Sequence, residues 1–299
     1  MLGLCRLCGD FSELQESHVI PSFVYKWLKG TSATGFLRFS DILNKRVQDG
    51  YKEYWLCSPC EQRLNVWETE FATNVFHPLN LDGGQRLKYD AWMMKFCASI
   101  SWRTLLKIQE AGLEHFTPSQ RTAAEQALDV WSKFILGKLP HPGRYEQHLL
   151  PLDAIAKDSS GELPANINRY ILRTVGMDAV RSESTTFVFT KMSKFLVLGF
   201  IDVRHPRQWV GTKIHVREGT VGTENCTVPI QLRDYLSDKA KRYATLVSNI
   251  SDTQRAKIDD FAWKNLDRVA QSGTFDALRN DVDLSGHAAF DIHSPKGKR

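Results

Sequence analysis

The residues best suited to chemistry stand near the start of the chain. Cys5 and Cys8 form one Cys-x-x-Cys pair, and Cys57 and Cys60 form a second. Each pair brings two thiolates within reach of one ion, and four thiolates make the tetrahedral ligand set of structural zinc. The 48 residues between Cys8 and Cys57 exceed the spacer of a simple zinc ribbon, so an insertion is expected between the knuckles. Neither pair follows a strand in a βαβ pattern, which argues against a redox pair. Cys97 and Cys226 stand alone and read as buried small hydrophobes.

The insertion carries Glu16-Ser-His-Val-Ile-Pro21, and Glu61, Asn65 and Glu68 follow the second knuckle. A Cys-x-x-Cys, a His followed by Val-Ile-Pro, then Leu-Cys-x-x-Cys leading into a helix resembles the HNH nuclease family of the four-cysteine zinc type. The resemblance covers residues 5–76. It implies a ββα-metal unit, with His18 as the general base for water and Mg²⁺ or Mn²⁺ as catalytic ion. It also implies that Glu61, with Asn65 or Glu68, holds that ion; the three share one helical face at i, i+4, i+7 spacing. The chain departs from the pattern at Ser17, where an acid or His is usual, and at Lys52, where an Asn is usual. DNA is then the expected partner, and a role in restriction or antiphage defence follows by analogy alone. A non-catalytic zinc module that binds nucleic acid or protein needs only the cysteines and stays open as the alternative. A subunit that assembles with itself or a partner through helices 86–136 is a third reading.

Further along, Arg204, Arg207, Lys213, His215 and Arg217 surround Trp209. They could follow phosphates and stack a base, or be solvated charges around a core tryptophan. Lys239, Lys241 and Arg242 pose the same choice on a helix.

These side chains need elements to position them. Leu64, Trp67, Phe71 and Val75 recur at helical spacing, predicting a helix over 61–76 that stops before Pro78. A buried helix is expected over 86–111, and Thr117-Pro118 should cap another running to Leu136. After a helix at 166–174, three strands at 185–190, 195–203 and 209–216 suggest an antiparallel meander. Helices follow at 229–248 and 253–271, and the polar tail beyond Gly273 reads as loosely ordered. The segment 23–28 fits helix or strand equally. The expected class is α+β: an N-terminal ββα-metal-like zinc module (1–80), a helical middle region (81–145) and a C-terminal antiparallel sheet with helices (146–299).

Bulk composition fits that plan. The chain has 299 residues, 42% hydrophobic and 24% charged, which is globular composition. No apolar run reaches membrane-spanning length, and the N-terminus lacks a signal-peptide pattern, so a cytoplasmic setting without disulfides is expected. The net charge is +5, yet residues 1–80 hold eight basic against nine acidic side chains. Contacts to nucleic-acid phosphates should therefore come largely from outside the zinc module.

Overall fold

The computed structural model describes residues 1–291. The chain is α+β: N-terminal strands, a helical middle and a C-terminal antiparallel sheet flanked by helices. It forms two compact units, each assembled from separate stretches of chain rather than from consecutive blocks. Unit 1 comprises residues 1–21, 51–151 and 175–228; unit 2 comprises 22–50, 152–174 and 229–299.

Unit 1 begins with strands β1 (Leu2–Leu4) and β2 (Phe11–His18). Unit 2 takes the next helix, α1 (Ser22–Gly30), which decides the ambiguous segment. Back in unit 1, β3 (Lys52–Cys57) completes an antiparallel sheet of order β1-β2-β3. Helix α2 (Ser58–Phe71) follows, then a π-helical turn (Ala72–Phe76) and α3 (His77–Leu81). The helical path therefore passes Pro78 instead of ending before it. Proline lacks an N–H and is tolerated in the first turn after such a break.

The segment expected as one helix from residue 86 starts as a strand, β4 (Leu87–Tyr89), and only then becomes α4 (Trp92–Ala111). Helix α4 is buried on nearly every side between 93 and 106, because α2, α5 (Pro118–Ile135) and a four-stranded sheet all pack on it. Thr117 caps α5 with a reciprocal Gln120 capping box, as the sequence predicts.

The sheet has order β5-β8-β7-β6 and is antiparallel throughout. Its strands are β5 (Gln147–Pro151), β6 (Val175–Arg181), β7 (Thr185–Met192) and β8 (Phe195–Val203). Helix α6 (Ile167–Arg173) lies between β5 and β6 in sequence and belongs to unit 2. The third expected strand, 209–216, contributes only isolated bridges, and β9 (Gly219–Val221) pairs with β4 instead. Phe71 stacks on Phe96 at 4.0 Å and meets Phe195 edge-on, joining α2, α4 and β8 in one core.

In unit 2, helices α7 (Ile230–Ser248), α8 (Asp252–Lys264), α9 (Leu266–Ala270), α10 (Gly273–Ser285) and α11 (Ala288–Asp291) follow. Among the described residues the tail beyond Gly273 is thus largely helical, up to Asp291. Asp281 of α10 is fully buried, and its carboxylate accepts from the Asn168 and Arg169 N–H groups and from Arg169 Nε at 2.6 Å. A polar sequence hid this because its buried contact is ionic rather than apolar. The terminal Pro-Lys-Gly-Lys-Arg lies outside the described residues. Among those described, no helix is long and apolar enough to cross a membrane.

Candidate metal centre and the adjoining polar cluster

The first knuckle is the turn of the β1–β2 hairpin. Gly9, at φ +84°, donates its N–H to the Cys5 carbonyl and lets the chain double back. The Arg6 N–H then reaches the Trp55 carbonyl at 2.7 Å, fastening this turn to β3. Cys57 closes β3 and serves as the N-cap position of α2, with Pro59 in its first turn; Cys60 follows in that turn. Local turns thus shape each pair, and the β2–β3 pairing delivers both to one end of the sheet.

The four sulfur atoms lie within 4.8 Å of one another, and all four cysteines are free thiols. Cys8 and Cys57 Sγ are 3.7 Å apart, far beyond a disulfide bond. A tetrahedron with zinc–sulfur bonds of about 2.3 Å has edges of about 3.8 Å, so this spacing fits a zinc ion. The electrostatics agree. Burial pushes the Cys5 thiol up, but N–H groups of Cys8, Cys57 and Leu7 outweigh it and hold the thiol down to about 7. Burial and the neighbouring sulfurs raise Cys8 to about 11 and push Cys60 higher still. Without a cation the cluster cannot hold four thiolates; a divalent ion supplies the missing charge.

The other end of the β2–β3 ladder carries His18. Leu14 pairs with Cys57 beside the sulfurs, while Ser17 pairs with Glu53 and His18 with Lys52. Four residue steps along the strand take the chain from Leu14 to His18, about 13 Å. Opposite Gln15 and Glu16 the ladder skips Trp55, a bulge on β3, and on β2 Leu14 and Ser17 are both buried although three residues apart. Ser17 Oγ donates to Glu61 Oε2 at 2.6 Å, tying the end of β2 to the first turn of α2.

A residue that sequence reasoning missed organises the rest. Arg103 of α4 is 1% exposed. Its Nη1 donates to the His18 carbonyl at 2.9 Å, and its Nη2 lies 2.7 Å from Glu68 Oε1. Burial raises the Glu68 carboxyl above its usual range, partly offset by Arg103; Glu61 and His18 are near enough to act on it as well. His18, Glu61 and Glu68 are therefore brought together, whereas Asn65 is exposed on the outer face of α2. Glu68 pairs with an arginine. Among the described residues the four cysteines are the one group of three or more His, Cys, Asp or Glu side chains gathered closely enough to hold a metal. Arg103 leaves no sequence signal, since it sits in an apolar helix where a lone arginine reads as surface.

Elsewhere, Trp209 is a core residue. It packs edge-on against Phe200 and Phe187, so its ring is unavailable for base stacking. Lys213 is ion-paired with Glu146. Cys97 is fully buried, as expected, and burial raises its thiol; Cys226 is half-exposed. The chain matches no protein-family model, no curated protein and no solved structure.

Proposed function

We propose that the β2–β3–α2 region is a zinc-organised phosphodiesterase site of the HNH type, acting on DNA. The observation that carries this reading is the convergence of His18, at the end of β2, with Glu61 and Glu68 of α2, on a sheet and helix joined by the four-cysteine centre. In this reading His18 takes the proton from the attacking water. Glu61 is the carboxylate for Mg²⁺ or Mn²⁺, and Ser17 fixes its orientation. Magnesium is commonly held by one or two carboxylates plus water and substrate phosphate, so a single committed carboxylate suits it. Such an ion supplies charge neutralisation on the scissile phosphate. Glu68, paired with Arg103, becomes a positioning residue: the pair fixes the strand end that carries His18. Asn65, one turn beyond Glu61, would meet the ion only from the solvent side.

Plasmid cleavage by the purified full chain with Mg²⁺ or Mn²⁺ tests the reading. Cleavage should vanish in His18→Ala, which removes the general base, and fall at least about a hundredfold in Glu61→Gln, which weakens the hold on a metal ion that supplies several kcal/mol of charge stabilisation. Zinc should stay at one ion per chain in both variants. Activity that survives His18→Ala would sink the assignment. A second reading, a non-catalytic zinc module for nucleic acid or protein, is favoured by the lack of another ligand cluster among the described residues. Wild-type protein that holds zinc and binds DNA without cutting it would establish that one.

A further inference from the structure

Residues 22–50, the middle of the insertion between the knuckles, belong to unit 2 and carry an unusual pair of cations. Leu37 and Val47 form an antiparallel bridge with both backbone hydrogen bonds made, at 3.1 and 3.0 Å. Arg38 and Arg46 are the next residues inward from that bridge, and they lie near enough to act on one another. Like charges facing one another across a strand pair repel.

The partners of both arginines are neutral. Arg38 Nη1 donates to the Leu43 carbonyl at 2.7 Å, and its Nη2 to Gln254 Oε1 at 3.3 Å; both acceptors are neutral. The Arg46 guanidinium lies over the Phe36 ring at 4.6 Å. Among the described residues no carboxylate is ion-paired with either arginine. Both are half-buried, and burial together with Arg46 weakens the hold of Arg38 on its proton. The guanidinium groups are thus pre-positioned, partly desolvated and short of negative charge. A phosphate oxygen between them would satisfy all three conditions.

We infer that Arg38 and Arg46 form a clamp for a backbone phosphate of nucleic acid. A polyanion is favoured over a lone small anion by the distribution of charge. Among the described residues, unit 2 holds seventeen Lys and Arg against fifteen Asp and Glu, whereas unit 1 holds nineteen of each. The positive excess of the described residues thus lies in the unit that carries the clamp, which adds some long-range attraction for a polyanion. The inference rests on the reading of nucleic acid as substrate and assigns unit 2 a share in holding it.

The test measures binding of a fluorescent 20-base-pair DNA duplex to the zinc-loaded full chain across a salt series, in a His18→Ala background so that nothing is cut. Arg38→Gln/Arg46→Gln should bind at least about tenfold more weakly and lower the salt slope by about two, one for each arginine that no longer neutralises phosphate charge. Arg46→Gln, which breaks no hydrogen bond of the loop, should lower it by about one and guards against misfolding of the double variant. Lys133→Gln, a surface control, should change neither. Unchanged affinity and slope in the double variant overturn the inference. So does binding of inorganic phosphate that the double variant loses while its duplex binding persists. Arginine-dependent binding without cleavage by the wild type would sink the hydrolase reading and leave the clamp standing.

Discussion

At the residue scale, two buried ionic groups make opposite points. Arg103 is shielded from water and serves the Glu68 carboxylate and the His18 carbonyl at once. Removing one member of a buried pair leaves an uncompensated charge, so Arg103→Met should cost about 3–5 kcal/mol in denaturant unfolding. Arg103→Met/Glu68→Met should recover part of that loss, because two apolar side chains leave no charge behind. A double variant no more stable than Arg103→Met would show that the pair is not coupled. Glu146 and His148 set the acid response. The His148 contact, 3.5 Å between Nε2 and Oε2, and then Lys213 hold the Glu146 carboxyl down to about 2 despite its burial. Burial itself depresses His148 below 6.5. In both cases the unfolded chain takes up its proton before the folded one. Stability should therefore fall as pH drops below 6.5, and fall further between 4.5 and about 2. Glu146→Gln should remove the lower limb and keep the upper one, read as urea midpoints against pH.

At the element scale, the close fit of α4 and α5 onto the four-stranded sheet depends on one missing side chain. A Cβ at Gly199, in the middle of β8, would stand 2.5 Å from Ser101 Oγ and 2.8 Å from the Trp131 ring. Gly199→Ala must push both helices outward, and should destabilise unit 1 by about 1–3 kcal/mol, as overpacking does. A thermal midpoint equal to the wild type would show that the helices can give. The elements themselves were legible in uneven measure. Thr117-Pro118 and the apolar period after Cys60 announce α5 and α2 because local chemistry fixes them. Strand β2 reads Phe-Ser-Glu-Leu-Gln-Glu-Ser-His and has no apolar alternation, since one of its two buried side chains is a serine that bonds a carboxylate. Residues 209–216 look like a strand for the opposite reason: Trp209 and Ile214 are buried, but by packing from a loop.

At the scale of the whole molecule, residues 22–50 of the insertion between the knuckles and the C-terminal helices form one body. Arg173 donates to the Leu28 carbonyl and to Thr31 Oγ1, and its guanidinium lies over Trp27 at 4.8 Å. The Gly273 N–H reaches the Thr31 carbonyl at 2.9 Å, Arg268 bonds the Ser32 carbonyl, and the Ser251 N–H bonds Asn44. Deleting residues 229–299 removes three of these four anchors. Trypsin should then cut at Lys29, Arg38, Lys45 or Arg46 at least about ten times faster than in the full chain, because local opening governs proteolysis. Equal rates would show that the insertion is ordered without the C-terminal helices.

What the sequence determined by itself is the chemistry that depends on spacing along the chain: two cysteine knuckles, the helix caps, the α+β class. Those features are local, so residue type and interval suffice to specify them. The tertiary structure decided what depends on distant partners. It brought Arg103 from α4 to the strand end that carries His18, 85 residues away, gave Asp281 a buried arginine, and assigned residues 22–50 of the insertion to the C-terminal helices. Each of these is a polar contact between remote segments. Such contacts carry no periodicity to read, because a buried charge is defined by its partner and not by its neighbours in sequence.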